Sequence, residues 1–252
     1  METVLRLAYL IAQSMQELFG KQLIALYLHG SAATSDFIPG QSDLDLVAVV
    51  QTLVSASEEA QLQAWFARQF LPPELAGIDF ELLTQQAAAF PSQRPDWNMI
   101  IRVQRHQHSI AVLTPDVSDG YSLFDLAMVR ERGYALVGPD PTMMIAALPR
   151  LWLLQACVTQ VQRWLSWDVI NDRSSAVLTA CRAWYYLSND LHATKSEAGL
   201  WARSQSSTYT SLIDAALAVR RSEIGKALKN DEVKAFCQYV SCSLEDAIIQ
   251  KS

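Results

Sequence analysis

Cysteine is scarce: four in 252 residues, at Cys157, Cys181, Cys237 and Cys242, with no C-x-x-C spacing. That excludes a disulfide framework, and structural free thiols in a reducing cytosol are the expectation. Glycine and proline are sparse too, nine of each, which excludes collagen-like repeats and low-complexity disorder. Basic residues do not outnumber acidic ones: 20 Lys and Arg stand against 26 Asp and Glu, a net charge of -6. A chain with that balance offers no basic face for nucleic acid, and it mildly favours a cationic partner. No stretch of 18 uncharged apolar residues exists, because Pro149 and Arg150 interrupt the best candidate, so no membrane span is expected. Neither G-x-x-x-x-G-K-[ST] nor G-x-G-x-x-G occurs, so the sequence supports no P-loop or Rossmann mode of phosphate binding.

Half the residues are hydrophobic and 18% are charged, enough for one large core or two modest ones. Val4, Leu7, Ala8, Ile11, Met15, Leu18 and Phe19 recur at three- and four-residue steps, so residues 1–20 read as an amphipathic helix. Glu2 and Glu17, a short apolar run and the lack of an A-x-A site argue against a secretory leader, and a cytoplasmic protein is expected. The runs 23–28 and 43–50 read as strands joined by a turn-rich stretch, 34–42, with Asp36, Pro39 and Gly40. Residues 54–70 read as a helix. The run 78–83 alternates apolar and acidic residues, a strand with both acids on one face. One or two strands are expected within 98–113 and a helix over 121–132, ended by Gly133.

Val137-Gly138-Pro139-Asp140-Pro141 is the densest turn signal, and the domain boundary is expected just beyond it. Residues 1–147 then form an α/β (α+β) domain with a mixed sheet. Residues 148–252 form an all-α bundle with helices near 149–166, 173–191, 196–204, 208–219 and 230–249. Pro149 suits a first helical position, and Asp172 suits a cap.

One pattern carries chemistry: Gly30-Ser31, eleven residues, then Asp43-x-Asp45. Residues two apart on a strand share a face, so the two carboxylates project together. Two neighbouring carboxylates repel unless a cation lies between them. Mg²⁺ suits them: it takes oxygen ligands and completes its shell with water and phosphate. Gly30 lets the backbone approach a ligand, and Ser31 adds a hydroxyl. A third carboxylate, Asp79 or Glu81, lies on another strand. Such a set suits metal-assisted phosphoryl or nucleotidyl transfer.

These residues resemble the nucleotidyltransferase signature of the polymerase-β superfamily. The strings Leu26-Tyr27-Leu28-His29-Gly30-Ser31-Ala32 and Ser42-Asp43-Leu44-Asp45-Leu46 are similar to the aminoglycoside 3″(9)-adenylyltransferases, which modify streptomycin and spectinomycin. Residues 177–185, Lys195 and Trp201-Ala202 resemble that family's helical domain. The resemblance implies a nucleotidyltransferase domain followed by a helical substrate-binding domain, with ATP and Mg²⁺ as cofactors and antibiotic resistance as the outcome. It implies that Gly30, Ser31 and Ser42 lie near the ATP phosphates and that Asp43 and Asp45 hold Mg²⁺. The base falls on Asp79, where the family has Glu, and Glu81 on the same face is the alternative. Arg182 and Lys195 match basic residues that reach the phosphates. Asp168 and Asp172 match acids of the aminoglycoside site, as a polycationic sugar requires. Trp164 or Trp167 matches a tryptophan that packs on the drug, and Trp97 a tryptophan that covers the cleft.

For several of these residues an ordinary structural role competes. Asp172 also reads as a helix cap, the tryptophans as core, and Arg182 as one half of a surface ion pair. Transfer to another small molecule or a protein acceptor is the rival to the antibiotic reading. A decayed nucleotide-binding module is a third, favoured only by Asp at position 79. His106 and His108 share a strand face but lack a third ligand, so zinc is not expected. His29 is expected to pack or cap locally, and Trp184-Tyr185-Tyr186 to belong to a core.

Overall fold

Alternation along four strands decides the architecture. A computed structural model of the chain describes residues 1–93, 97–105, 109–113, 122–223 and 227–250. The chain divides into two compact units, Met1–Ala147 and Leu148–Ser252.

The first unit begins with helix α1 (Glu2–Phe19), a short 3-10 turn and strand β1 (Leu23–His29). A four-residue helix α2 (Gly30–Ala33), strand β2 (Leu44–Val50), helix α3 (Ala56–Ala67) and strand β3 (Gly77–Thr84) follow. Then come α4 (Gln85–Ala89), β4 (Trp97–Gln104), β5 (Ser109–Leu113), α5 (Ser122–Arg132), β6 (Tyr134–Val137) and α6 (Pro141–Met144). The six strands form one sheet in the order β5-β4-β3-β2-β1-β6. The sheet is mixed: β2 and β3 run parallel and every other neighbouring pair is antiparallel. A parallel pair needs a crossover, and α3 supplies it.

One face of this sheet is apolar. Leu26 and Leu28, then Leu44, Leu46 and Ala48, then Ile78, Phe80 and Leu82 are all buried there with Met99, Ile101 and Val103. Helix α1 covers them with Val4, Leu7, Ala8, Ile11 and Met15, and α3 adds Leu62 and Phe66. The rings of Phe66 and Phe80 lie 5.0 Å apart. Each of the larger side chains among them (Val, Leu, Ile, Met, Phe) contributes about 1.5–3 kcal/mol when removed from water. Helix α3 starts sharply because Ser55 and Glu58 form a reciprocal capping box.

The second unit is helical in all its regular elements among the described residues: α7 (Arg150–Leu165), α8 (Arg173–Asn189), α9 (Lys195–Gln205), α10 (Thr210–Arg220) and α11 (Asn230–Ile249). Its core combines small residues on α8, Ala176, Ala180 and Cys181, with Phe236, Cys237 and Val240 of α11. Gly199 lets α9 pack tightly; a methyl group there would lie 2.8 Å from Leu217 and 2.9 Å from Leu178. Trp184 stacks edge-on against Trp201 and Tyr239, and Tyr186 is buried, so that aromatic run is packing as expected. Cys157, Cys181 and Cys237 are buried and Cys242 is exposed. Burial pushes the Cys157 and Cys237 thiols up to about 12. No helix among the described residues is long and apolar enough to cross a membrane.

The short helices α2, α4 and α6 were not expected from the sequence, and three further departures have a plain cause. Strand β6 went unread: four residues directly after a helix, at a sheet edge, are too few to show alternation. Pro149 is the N-cap of α7 rather than its first residue. Helix α9 starts one residue early, at Lys195, because Thr194 and Glu197 form a second capping box.

Candidate active site

The other face of the sheet carries the charge. Strand pairing sets His29, Asp45, Asp79 and Arg102 side by side in one row across β1, β2, β3 and β4. Residues paired across strands point to one side, so this row shares a face. Asp43 sits just before β2, next to the first residue of β3. The next row into the sheet is Tyr27, Val47, Glu81 and Ile100. The expected strand acids therefore share a face but differ in depth: Asp79 lies level with Asp45, and Glu81 one row behind.

Loop chemistry fixes where Asp43 enters. Thr34 donates its hydroxyl proton to the Gly30 carbonyl at 2.7 Å. The Ser42 hydroxyl is buried and accepts from the Ile38 N–H at 2.9 Å. Gly40 N–H donates to the Glu74 carbonyl, and Ala76 N–H to the Ser42 carbonyl at 3.0 Å. Ser42 thus closes the loop, and its backbone ties that loop to the chain entering β3. His29 is buried and flanks α2, but its side chain makes no capping bond.

Two glycines shape the acid end of the sheet. Gly30 has φ +63°, a conformation few other residues adopt, and a Cβ there would lie 1.9 Å from Asp45 Oδ2. A Cβ on Gly77 would lie 2.7 Å from Asp43 Oδ1. Each carboxylate of the Asp-x-Asp pair is thus lodged where a side chain would otherwise stand. Among the described residues no group of three or more His, Cys, Asp or Glu is gathered closely enough to hold a metal alone. Asp43 and Asp45 can supply two protein ligands, which suits a cation that takes the rest of its shell from phosphate and water.

The electrostatics separate the two rival bases. The Asp79 side chain keeps 23% of its surface and faces Arg102, with Nε 3.8 Å from Oδ1. Burial raises its carboxyl above the usual range, and the Arg102 guanidinium opposes that rise. Glu81 is 3% exposed, and its Oε2 has no hydrogen-bond partner. Burial pushes Glu81 well up, and the charges of Asp125, Asp79 and Asp45 push it further. Asp79 thus keeps part of its side chain at the surface, whereas Glu81 is sealed and inclined to keep its proton. Arg102 and Asp125 are members of this cluster that the sequence reading missed. An arginine inside the apolar run 99–103 was a usable signal; Asp125, one acid on a helix, gave none.

In the helical unit, Lys195 opens α9 and donates to the Ser175 hydroxyl at 3.3 Å. Arg182 lies on α8, near enough to Cys157 to oppose the rise of its thiol. Asp172 caps α8 by accepting from Ser175 N–H at 2.9 Å. Asp168 is exposed, and its carbonyl accepts from the Asn230 amide at 3.1 Å. Trp164 and Trp167 form an edge-on pair with centroids 5.2 Å apart, and Trp167 is 41% exposed. Three of the residues that the resemblance singled out thus lie at the C-terminal end of α7 and just beyond it: Trp164 in the last turn of the helix, Trp167 and Asp168 in the turn that follows. Trp97 lies on β4, its side chain outside the described set, and His106 and His108 lie outside the described residues altogether.

Residues 9–98 match the family model described as "Nucleotidyltransferase domain", and residues 143–243 the one described as "Aminoglycoside adenylyltransferase, C-terminal domain". Among solved structures, the chain is similar to a spectinomycin adenyltransferase, AAD(9), from Enterococcus faecialis, crystallised with ATP and spectinomycin. The TM-score is 0.71 at 15% identity, and the match covers 93% of this chain and 96% of that one. No curated protein sequence matches.

Proposed function

Because the chain belongs to the aminoglycoside adenylyltransferase family, we propose that it transfers the adenylyl group of ATP to a hydroxyl of streptomycin or spectinomycin, releasing pyrophosphate and conferring resistance. The observation that carries this reading is the level row of Asp45 and Asp79, with Asp43 beside it, at one end of the sheet. Asp43 and Asp45 would hold a Mg²⁺ ion, as two oxygen ligands beside phosphate and water. That ion would offset the charge of the triphosphate and of the departing pyrophosphate. The glycine cradles on both acids fit such a role.

Asp79 is the base. Its carboxylate takes the proton of the drug hydroxyl, whose oxygen bonds to the α-phosphorus while the bond to the bridging oxygen of the β-phosphate breaks. Arg102 beside it offsets part of the burial penalty and keeps the carboxylate able to accept a proton. Gly30, Ser31 and Ser42 line the phosphate side. Arg182 and Lys195 supply the cations that a triphosphate needs. Asp168, with Trp164 and Trp167, receives the cationic sugar. A second reading, the same transfer to another small-molecule acceptor, is favoured by one observation: Asp172 commits an oxygen to capping α8.

Mass spectrometry of each drug after incubation with protein, ATP and Mg²⁺ tests the reading, with Asp43→Asn as control. A gain of one adenylyl group that disappears in the control is expected. Pyrophosphate release without modification of either drug would favour the second reading.

A further inference from the structure

We propose that Gly77 is a positioning residue for this reaction: it leaves open the slot that holds the Asp43 carboxylate, and a side chain there displaces that carboxylate from the cation. The inference rests on the reading of Asp43 as a cation ligand. Gly77 is the first residue of β3 and pairs with Gln104 of β4. Its backbone lies outside the left-handed region, so conformation does not demand glycine there; space does. A Cβ at this position would meet Asp43 Oδ1 at 2.7 Å, Asp43 Cγ at 3.4 Å and the Val103 carbonyl oxygen at 2.6 Å. The Val103 carbonyl belongs to a strand of the sheet and yields little. The carboxylate is the end of a side chain and yields by rotating away. A methyl group at position 77 is therefore expected to turn the Asp43 carboxylate away, and its contact with the Val103 carbonyl adds a small shift between β3 and β4.

Gly30 provides the comparison. It stands against Asp45 as Gly77 stands against Asp43, but its positive φ gives it a separate backbone reason to be glycine. The two acids of Asp-x-Asp are thus each flanked by a glycine, Asp45 by the first residue of α2 and Asp43 by the first residue of β3. A group that fixes a metal ligand without touching the metal commonly changes metal affinity about 10–100-fold when altered.

The test is Mn²⁺ binding followed by electron paramagnetic resonance, in the presence of α,β-methylene ATP. Wild type, Asp43→Asn and Gly77→Ala are compared, each checked for folding by near-ultraviolet circular dichroism and thermal melting. Gly77→Ala is expected to weaken Mn²⁺ binding about tenfold or more while metal-free binding of the analogue is unchanged. Wild-type Mn²⁺ affinity in Gly77→Ala overturns the proposal. So does an equal loss of metal-free analogue binding, which marks a general distortion of the sheet. If Asp43→Asn also binds Mn²⁺ normally, or if the wild type takes up none, the reading of Asp43 itself fails and the proposal falls with it. Should Gly77→Ala not fold, Asp43→Glu asks the same question from the other side. Its longer carboxylate overfills the slot and is expected to lose Mn²⁺; retained affinity overturns the proposal.

Discussion

The sheet of the first unit and the helices of the second hold their polar groups in different ways. On the sheet, Asp45, Asp79 and Arg102 stand at paired positions of neighbouring strands, so backbone hydrogen bonds fix their spacing. In the helical unit, Asp172 and Lys195 sit at helix starts, Asp168 in a turn and Arg182 within α8, and several have a second task. Asp172 caps a helix, Lys195 bonds Ser175, and the backbone of Asp168 accepts from Asn230. Precision in the first unit comes from register. In the second it comes from side chains whose loss would also affect the fold.

That contrast can be broken at three points. The largest effect is expected at Asp79: Asp79→Asn should lower kcat by about 10²–10⁴, the range for a lost general base. Steady-state kinetics check this, with Glu81→Gln as the counterpart that leaves kcat near wild type. A large loss in Glu81→Gln instead would move the base one row deeper.

The next effect is on stability. Glu81 takes up its proton more readily in the folded chain than in the unfolded one. Its contribution is therefore fully present below the ordinary carboxyl range and is lost as pH rises through the folded value. In metal-free buffer, Glu81→Gln is expected to melt above wild type at neutral pH, by roughly 2–4 °C for each kcal/mol gained. The gap should close toward acid. A gap that widened toward acid would contradict the sealed position of Glu81.

The smallest effect is at the helix cap. Asp172→Ala should cost about 1 kcal/mol of stability, whereas Asp172→Asn should retain most of the cap. If Asp172→Asn keeps stability yet raises KM for the proposed acceptor, the residue serves both fold and substrate.

Much of this was legible in the sequence because strand patterns are local. The alternation Ile78-Asp79-Phe80-Glu81 placed both acids on one face, and Leu44 to Val50 read as the strand beside them. What the sequence could not rank was Asp79 against Glu81. Their difference in depth arises from the pairing of Asp79 with Asp45 and of Glu81 with Val47, which is a property of two strands together. Asp125 was hidden for the same reason, since only the fold brings α5 near Glu81. In the helical unit the helices were legible from periodicity and caps. Asp172 and Arg182 had two readings each, and the capping bond of Asp172 shows the structural one in use.

The three buried cysteines have a practical consequence. Thiolates react with alkylating probes and protonated thiols hardly do, and Cys157 and Cys237 are held protonated up to about 12. Cys181 is pushed up by burial as well. Cys242, exposed on α11, is left as the one ready point of attachment. The unaltered chain thus carries a natural single-site handle, on which a fluorophore or spin label can be placed without first removing any other cysteine.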